Sequence, residues 1–99
     1  MRTRNEICTL DYIIYCNSGD YFGFQCQFTA EDGGTFGTGD TYIANTAEAT
    51  PFTKAYVFDK MAYCIKKTGC YDLEKVRNRK VRVTFDNGSF LGFWFVEDK

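Results

Sequence analysis

The chain contains no histidine, and this absence narrows the chemistry open to it. Without histidine it cannot form Ser–His or Cys–His nucleophile pairs, it lacks the commonest general base, and most catalytic zinc sites are excluded. Two carboxylates could still work as acid and base, but no acidic pair stands apart from predicted turns and solvent-facing positions. We therefore expect that this protein is not an enzyme.

Long apolar runs and a secretion signal are also missing. No apolar run approaches the roughly 18 residues that cross a bilayer, and the charged start MRTRNE is not followed by the apolar segment of a signal peptide. The five cysteines are odd in number and include no Cys-x-x-Cys pair, which is typical of reduced thiols. We predict a cytoplasmic protein without a membrane partner.

The cysteines are more readily explained by packing than by a metal. Cys26 alternates with phenylalanines on the apolar face of a predicted strand, and free cysteine is among the most buried residue types. We expect no cofactor. A zinc-stabilised module is the alternative, and the first ligands to suspect are Cys64 and Cys70, on either side of Gly69.

One long helix is predicted over residues 50–69. Thr50 suits the N-cap, Pro51 the first helical position and Gly69 the left-handed C-cap. Apolar residues recur there at steps of three and four, which predicts the face that packs on the sheet. These residues are Ala55, Phe58, Ala62 and Ile65, with Phe52 and Tyr56 widening the stripe.

Strands are predicted on both sides of this helix. They cover residues 6–16, 21–30 and 35–43 before it, and residues 80–86 and 89–96 after it. Asn87-Gly88 joins the last two in a tight hairpin. The order β-β-β-α-β-β predicts a single α+β domain over residues 1–99. Its antiparallel sheet has about five strands, and one main helix packs on one face.

The first and last strands are apolar on both faces, although one helix can cover only one. We predict that Leu10, Tyr12 and Ile14 share one face of the first strand. Sheet curvature, the N-terminal segment, a second copy or a partner would cover the remaining face. If a partner covers it, Trp94, Phe93 and Tyr12 are the predicted anchors. A homodimer is one form of this alternative.

Charge is uneven along the chain. Residues 66–82 carry a net charge of +5, so the remainder carries −6 of the total of −1. The densest basic residues are Arg77, Arg79, Lys80 and Arg82. Lys80 and Arg82 are predicted to lie on the solvated side of a strand. Because this segment lacks interleaved stacking aromatics, we expect contact with an acidic protein rather than direct nucleic-acid binding.

The segment between Asp32 and Asp40 is rich in glycine but does not fit a phosphate-binding loop. It lacks the Gly-Lys-Ser/Thr ending, it leads into a strand, and its flanking aspartates would repel phosphate. Glycines in a bent strand are the favoured interpretation. A concave loop here that binds a small ligand remains an alternative.

Five short segments together resemble a known group of proteins. They are residues 20–24 (DYFGF), 31–39 (EDGGTFGTG), 55–60 (AYVFDK), 71–76 (YDLEKV) and 80–83 (KVRV). Over residues 20–96 this pattern resembles small phage- and prophage-encoded proteins. The resemblance implies an origin in a phage or mobile element, where small, acidic, histidine-free proteins commonly act on host proteins, including as anti-CRISPR-like inhibitors. That family has no assigned activity, so it supplies no functional residues.

From these observations we expect a small phage-type protein that inhibits a host defence system. It would bind a host protein, such as a CRISPR nuclease complex, in the bacterial cytoplasm and block it sterically. One alternative is a sponge that sequesters a nucleotide-like signal near the glycine-rich strand and the helix. The other is the zinc-stabilised binding module.

Overall fold

The described part of the chain forms six strands, one long helix and one short helix. The computed structural model describes residues 3–16 and 18–96. The elements are β1 (Thr3–Tyr15), β2 (Tyr21–Ala30), β3 (Thr35–Gly37), β4 (Ile43–Asn45), α1 (Pro51–Thr68), a 3₁₀ helix (Leu73–Lys75), β5 (Arg77–Asp86) and β6 (Ser89–Phe95). The antiparallel sheet has the order β3-β2-β1-β5-β6, and β4 also pairs with β2. The predicted α+β fold with one main helix on an antiparallel sheet is confirmed.

The third predicted strand is in fact two. β3 pairs with the end of β2 and β4 with its start, and the chain between them leaves the sheet and buries the ring of Tyr42. Gly23 permits the Tyr42 backbone to approach β2 closely, because its φ is +133° and a Cβ there would lie 2.0 Å from the Tyr42 carbonyl oxygen. The chain returns to β2 at this point, where the Phe24 N–H donates to the Tyr42 carbonyl at 3.0 Å.

A β-bulge explains why β1 is apolar on both faces. The pairing of β1 with β2 shifts between Leu10 and Tyr12, so Asp11 is an extra residue in the alternation. Leu10 and Ile13 are 0% and 1% exposed, whereas Tyr12 and Ile14 are 37% and 47% exposed. The prediction that Leu10 shares a face with Tyr12 and Ile14 is wrong, because the bulge reverses the alternation between them.

The sheet curves until aromatic rings from distant strands touch. Phe28 on β2 and Phe93 on β6 have ring centroids 5.3 Å apart, although β1 and β5 lie between their strands. In a flat sheet that separation would be about 14 Å. Phe36 on β3 likewise lies 5.4 Å from Phe85 on β5. The concave side therefore encloses the core. Curvature does not cover the remaining face, as one alternative proposed, since Tyr12, Ile14 and Trp94 there are exposed.

The helix ends are as predicted. The Thr50 side chain accepts a hydrogen bond from the Thr53 N–H, Pro51 opens the helix, and Gly69 closes it with φ +69°. Lys66 and Lys67 occupy the last turn, where the helix dipole favours positive charge.

The buried face of α1 differs from the prediction. Val57 and Cys64 are buried in the core, whereas Phe52 and Phe58 are 80% and 66% exposed. Two apolar stripes run along this helix. Spacing alone cannot say which stripe meets the sheet. Of the predicted stripe, Ile65 is half-buried against the core, whereas Ala55 and Ala62 are exposed.

The two helices close the open sides of the curved sheet. From α1, the Tyr63 hydroxyl accepts the Phe95 N–H at 2.9 Å, which satisfies a polar group on the outer edge of β6. The 3₁₀ helix buries Leu73 completely, and the Leu73 N–H donates to the Tyr15 hydroxyl at 3.1 Å. Among the residues described, no helix is long and apolar enough to cross a membrane.

Candidate functional site: the open face of the sheet

The convex side of the sheet gathers most of the residues predicted to bind a partner. We name it the open face. It consists of Ile7, Tyr12 and Ile14 from β1, Arg77, Lys80 and Arg82 from β5, and Trp94 from β6.

Strand register brings these residues together. Tyr12 lies opposite Arg77, and Arg82 lies between Ile7 on one neighbouring strand and Trp94 on the other. Directly opposed side chains lie on the same side of a sheet, about 5 Å apart. Residues more than 80 positions apart in sequence, such as Ile7 and Trp94, therefore form a single row.

Two arginines lie beside exposed rings in this surface. The guanidinium carbon of Arg77 is 6.0 Å from the centre of the Tyr12 ring, and that of Arg82 is 5.8 Å from the Trp94 ring. Tyr12 and Trp94 are 37% and 38% exposed. These distances lie within the range of cation–π attraction, so the rings and the charges are arranged as two mixed pairs.

A left-handed residue in β5 decides which arginines belong to the open face. Asn78 has φ +56° and lies level with the bulge in β1, so the alternation of β5 reverses there too. Arg77 consequently shares the open face with Tyr12. Arg79 pairs with Leu10 on the core side, where its guanidinium carbon lies 5.6 Å from the Phe95 ring. Arg79 is therefore separated from the predicted site.

The Arg77 side chain is held in place before any partner binds. Its guanidinium group donates hydrogen bonds to the backbone carbonyls of Glu74 and Val76. A side chain fixed in this way loses less conformational entropy on binding than a free one.

Phe93 does not belong to the open face. It is 0% exposed, and its ring packs against Phe28, Tyr42 and Phe95 in the core. Its neighbour Trp94 points to the opposite side of β6 because side chains alternate along a strand. The prediction that Phe93 anchors an exposed patch is therefore wrong, and the ring serves to fill the core.

Reasoning from the sequence did not predict that aromatic rings would lie between the basic side chains. The basic segment itself has no stacking aromatics, but the neighbouring strands supply Tyr12 and Trp94 beside Arg77 and Arg82. Only the pairing of β5 with both β1 and β6 places them together. That register depends on the bulge and on Asn78, and neither has an unambiguous signature in the sequence.

One of the cavities beside the glycine-rich segment, lined by Gly37, Thr38 and Gly39, is too small for a nucleotide. Its volume is about 160 Å³, below the range of about 300–1,000 Å³ for ligand pockets. It opens beside Tyr12 and Ile14 on the open face. The remaining lining residues are Gln25, Cys26 and Gln27. The sponge alternative placed its pocket near the glycine-rich strand and the helix, where a different cavity of about 280 Å³ is lined by Tyr42 and by residues of α1.

The cysteines suspected as zinc ligands have other surroundings. Cys64 is 0% exposed, and burial raises the pKa of its thiol to about 12. The Cys70 thiol donates to the Asp72 carbonyl at 3.1 Å. Metals bind the thiolate, which burial disfavours. Within residues 3–16 and 18–96, no group of three or more His, Cys, Asp or Glu could hold a metal ion.

Comparison with known proteins assigns no family. No family model matches the chain, and no curated protein or solved structure is significantly similar to it.

Proposed function

We propose that this chain is a binding protein that docks its open face on an acidic surface of a partner protein and blocks that surface. The observation that carries the proposal is the pairing of an arginine with an exposed ring at two places, Arg77 with Tyr12 and Arg82 with Trp94. Tryptophan, tyrosine and arginine dominate the energetics of protein interfaces. Lys80 adds a third positive charge, which favours an acidic partner.

The partner we propose is a host defence protein such as a CRISPR nuclease, in the cytoplasm of a bacterial cell. The resemblance of residues 20–96 to phage and prophage proteins supports this choice. The lack of histidine supports inhibition by steric blocking rather than by modification of the partner. Blocking requires only a stable interface of ordinary size.

The test compares two charge reversals. The variant Arg77→Glu/Arg82→Glu inverts the charge of the open face. The control Lys66→Glu/Lys75→Glu makes the same change in net charge at exposed residues of α1 and the 3₁₀ helix. Binding to purified CRISPR nuclease complexes is measured by interferometry, and inhibition by the rate of target cleavage. We expect the open-face variant to lose at least about a hundredfold in affinity and the control to bind like wild type.

Equal binding by the two variants would overturn the open face as the interface, provided that circular dichroism shows both to be folded. Failure of wild type to bind or inhibit any complex in the panel would remove the host-defence partner. A labelled single-stranded oligonucleotide is included in the same assay. If wild type and the control bind this oligonucleotide and the open-face variant does not, the proposed partner would be a nucleic acid instead of a protein.

A further inference from the structure

A partly buried lysine lies where α1 crosses the edge of β6. The Lys60 amine donates a hydrogen bond to the Phe93 carbonyl oxygen, one turn before Tyr63 accepts the Phe95 N–H. The lysine therefore reaches the sheet edge with its aliphatic stem along the helix and its amine among backbone and rings.

Four aromatic rings surround the Lys60 amine. The nitrogen lies 4.4 Å from the ring centre of Phe93, 4.6 Å from Trp94, 4.7 Å from Tyr63 and 5.6 Å from Tyr42. These rings attract the ammonium by cation–π contact, whereas its removal from water disfavours the charged form. Burial accordingly lowers the pKa of Lys60 to about 8, against a smaller opposing effect of Cys64 and Cys26.

A surface cavity of about 280 Å³ lies beside this amine. It is lined by Tyr42, Tyr56, Asp59, Lys60, Tyr63 and Trp94. The walls are largely aromatic, so the cavity suits a small, planar, apolar group. The amine stands at its side as the nucleophile.

We propose that Lys60 is a carbonyl-reactive amine, and that the cavity beside it takes small aromatic aldehydes and holds them as an imine on its nitrogen. This site shares Trp94 with the partner contact proposed above, but the reaction at Lys60 does not require a bound partner. Nothing in the basic surface of β5 is required for the reaction.

The reaction needs no oxidant or metal. The lone pair of the neutral Lys60 nitrogen attacks the carbonyl carbon, a C–N bond forms, and the carbonyl electron pair moves to oxygen, which takes a proton. The nitrogen then loses a proton to solvent, and the hydroxyl takes a proton from solvent and leaves as water. The nitrogen lone pair forms the C=N bond, and the nitrogen releases its remaining proton to solvent. Solvent supplies and accepts these protons, because the Tyr42 hydroxyl beside the cavity has its pKa raised by burial and holds its own proton.

Several titratable groups face this amine, and they bear on its pH dependence. On α1 they are Tyr56, Asp59, Tyr63 and Cys64, on β2 Cys26, and before β4 Tyr42. Arg82 lies across the Trp94 ring from β5. Burial raises the pKa values of Cys26, Cys64 and Tyr42, which therefore stay protonated around pH 8.

The experiment traps the imine. The full chain is incubated with benzaldehyde and sodium cyanoborohydride at about pH 7.5, and the modified lysines are mapped by peptide mass spectrometry. We expect Lys60 to react at least about tenfold faster than Lys66, which is exposed on the same helix. The α-amino group, ordinarily near pKa 8, is a second expected product that mapping separates. In urea the difference between Lys60 and Lys66 should disappear.

Variants then test the cavity. Lys60→Arg should remove the fast product, Lys66→Arg should leave it unchanged, and Trp94→Ala should slow modification of Lys60 but not of Lys66. The rate at Lys60 should level off above about pH 8 while the rate at Lys66 continues to rise. Equal rates at the two lysines in folded wild type would overturn the proposal without relying on any variant. A shared pH dependence would do the same.

Discussion

Aromatic residues occur on both sides of the sheet, but they fill the core on one side and are exposed to solvent on the other. On the concave side Phe28, Phe93 and Tyr42 are at most 1% exposed and their rings touch across strands. On the open face Tyr12 and Trp94 keep more than a third of their surface exposed, beside Arg77 and Arg82 respectively. An aromatic residue therefore says little about function by itself. The neighbour of its ring is more informative: in this protein another ring marks the core, and a guanidinium group marks the candidate interface.

The neighbouring residues Phe93 and Trp94 lie on opposite sides of the sheet, so substituting each one tests this comparison. Phe93→Ala should reduce the free energy of unfolding by about 3–5 kcal/mol, because it leaves a cavity among packed rings. Trp94→Ala should cost about 1 kcal/mol, since that ring is partly in solvent, but it should weaken partner binding strongly. Urea denaturation measures both effects on stability. Equal losses of stability from the two substitutions would contradict the assignment of Phe93 to the core and Trp94 to the surface.

The sequence predicts the elements of this protein better than their faces. Caps at Thr50, Pro51 and Gly69 mark the helix, and the Asn87-Gly88 hairpin has positive φ at both residues, as its type requires. These features are local, so a few neighbouring residues determine them. The order of elements was enough to predict the α+β fold.

The faces of the elements depend on distant contacts. The extra residue in β1 moves Tyr12 away from Leu10, and α1 buries Val57 in the core while Phe58 stays exposed. For the same reason the candidate site was predicted only in part. Tyr12, Arg77, Lys80, Arg82 and Trp94 share a face, whereas Phe93 and Arg79 do not.

Substitutions at Asn78 test whether its left-handed backbone conformation is needed for the side chains of β5 to change faces at this residue. Asn78→Val should cost about 1–2 kcal/mol, because a β-branched residue is strained at φ +56°. It should also weaken partner binding by displacing Arg77 from Tyr12. Asn78→Gly is the matched control and should be close to wild type in stability. A valine variant as stable as wild type, with unchanged binding, would mean that the backbone conformation at this residue does not determine the face of Arg77.

The smallest expected effect concerns Lys60, which lies at the boundary between the two sides. Burial lowers its pKa to about 8 in the folded protein, whereas an unfolded lysine has a pKa near 10.4. Above pH 8 folded Lys60 releases its proton, while the same lysine in the unfolded chain still holds one. The contribution of Lys60 to the free energy of unfolding therefore rises with pH, and it is lost again as the pH falls through 8. Relative to Lys60→Met, wild type should gain about 1 kcal/mol or less between about pH 7 and pH 9.

The comparison with Lys60→Met is needed because two buried thiols change the free energy of unfolding with pH in the opposite direction. Burial raises the pKa values of Cys26 and Cys64, so in the unfolded chain these thiols ionise near pH 9 while the folded core keeps them neutral. Stability is therefore lost as the pH rises above 9, and this loss is common to wild type and variant. Urea denaturation at several pH values measures the difference between the two proteins. A difference that stays constant from pH 7 to pH 9 would mean that the four rings leave the amine as well solvated as a surface lysine.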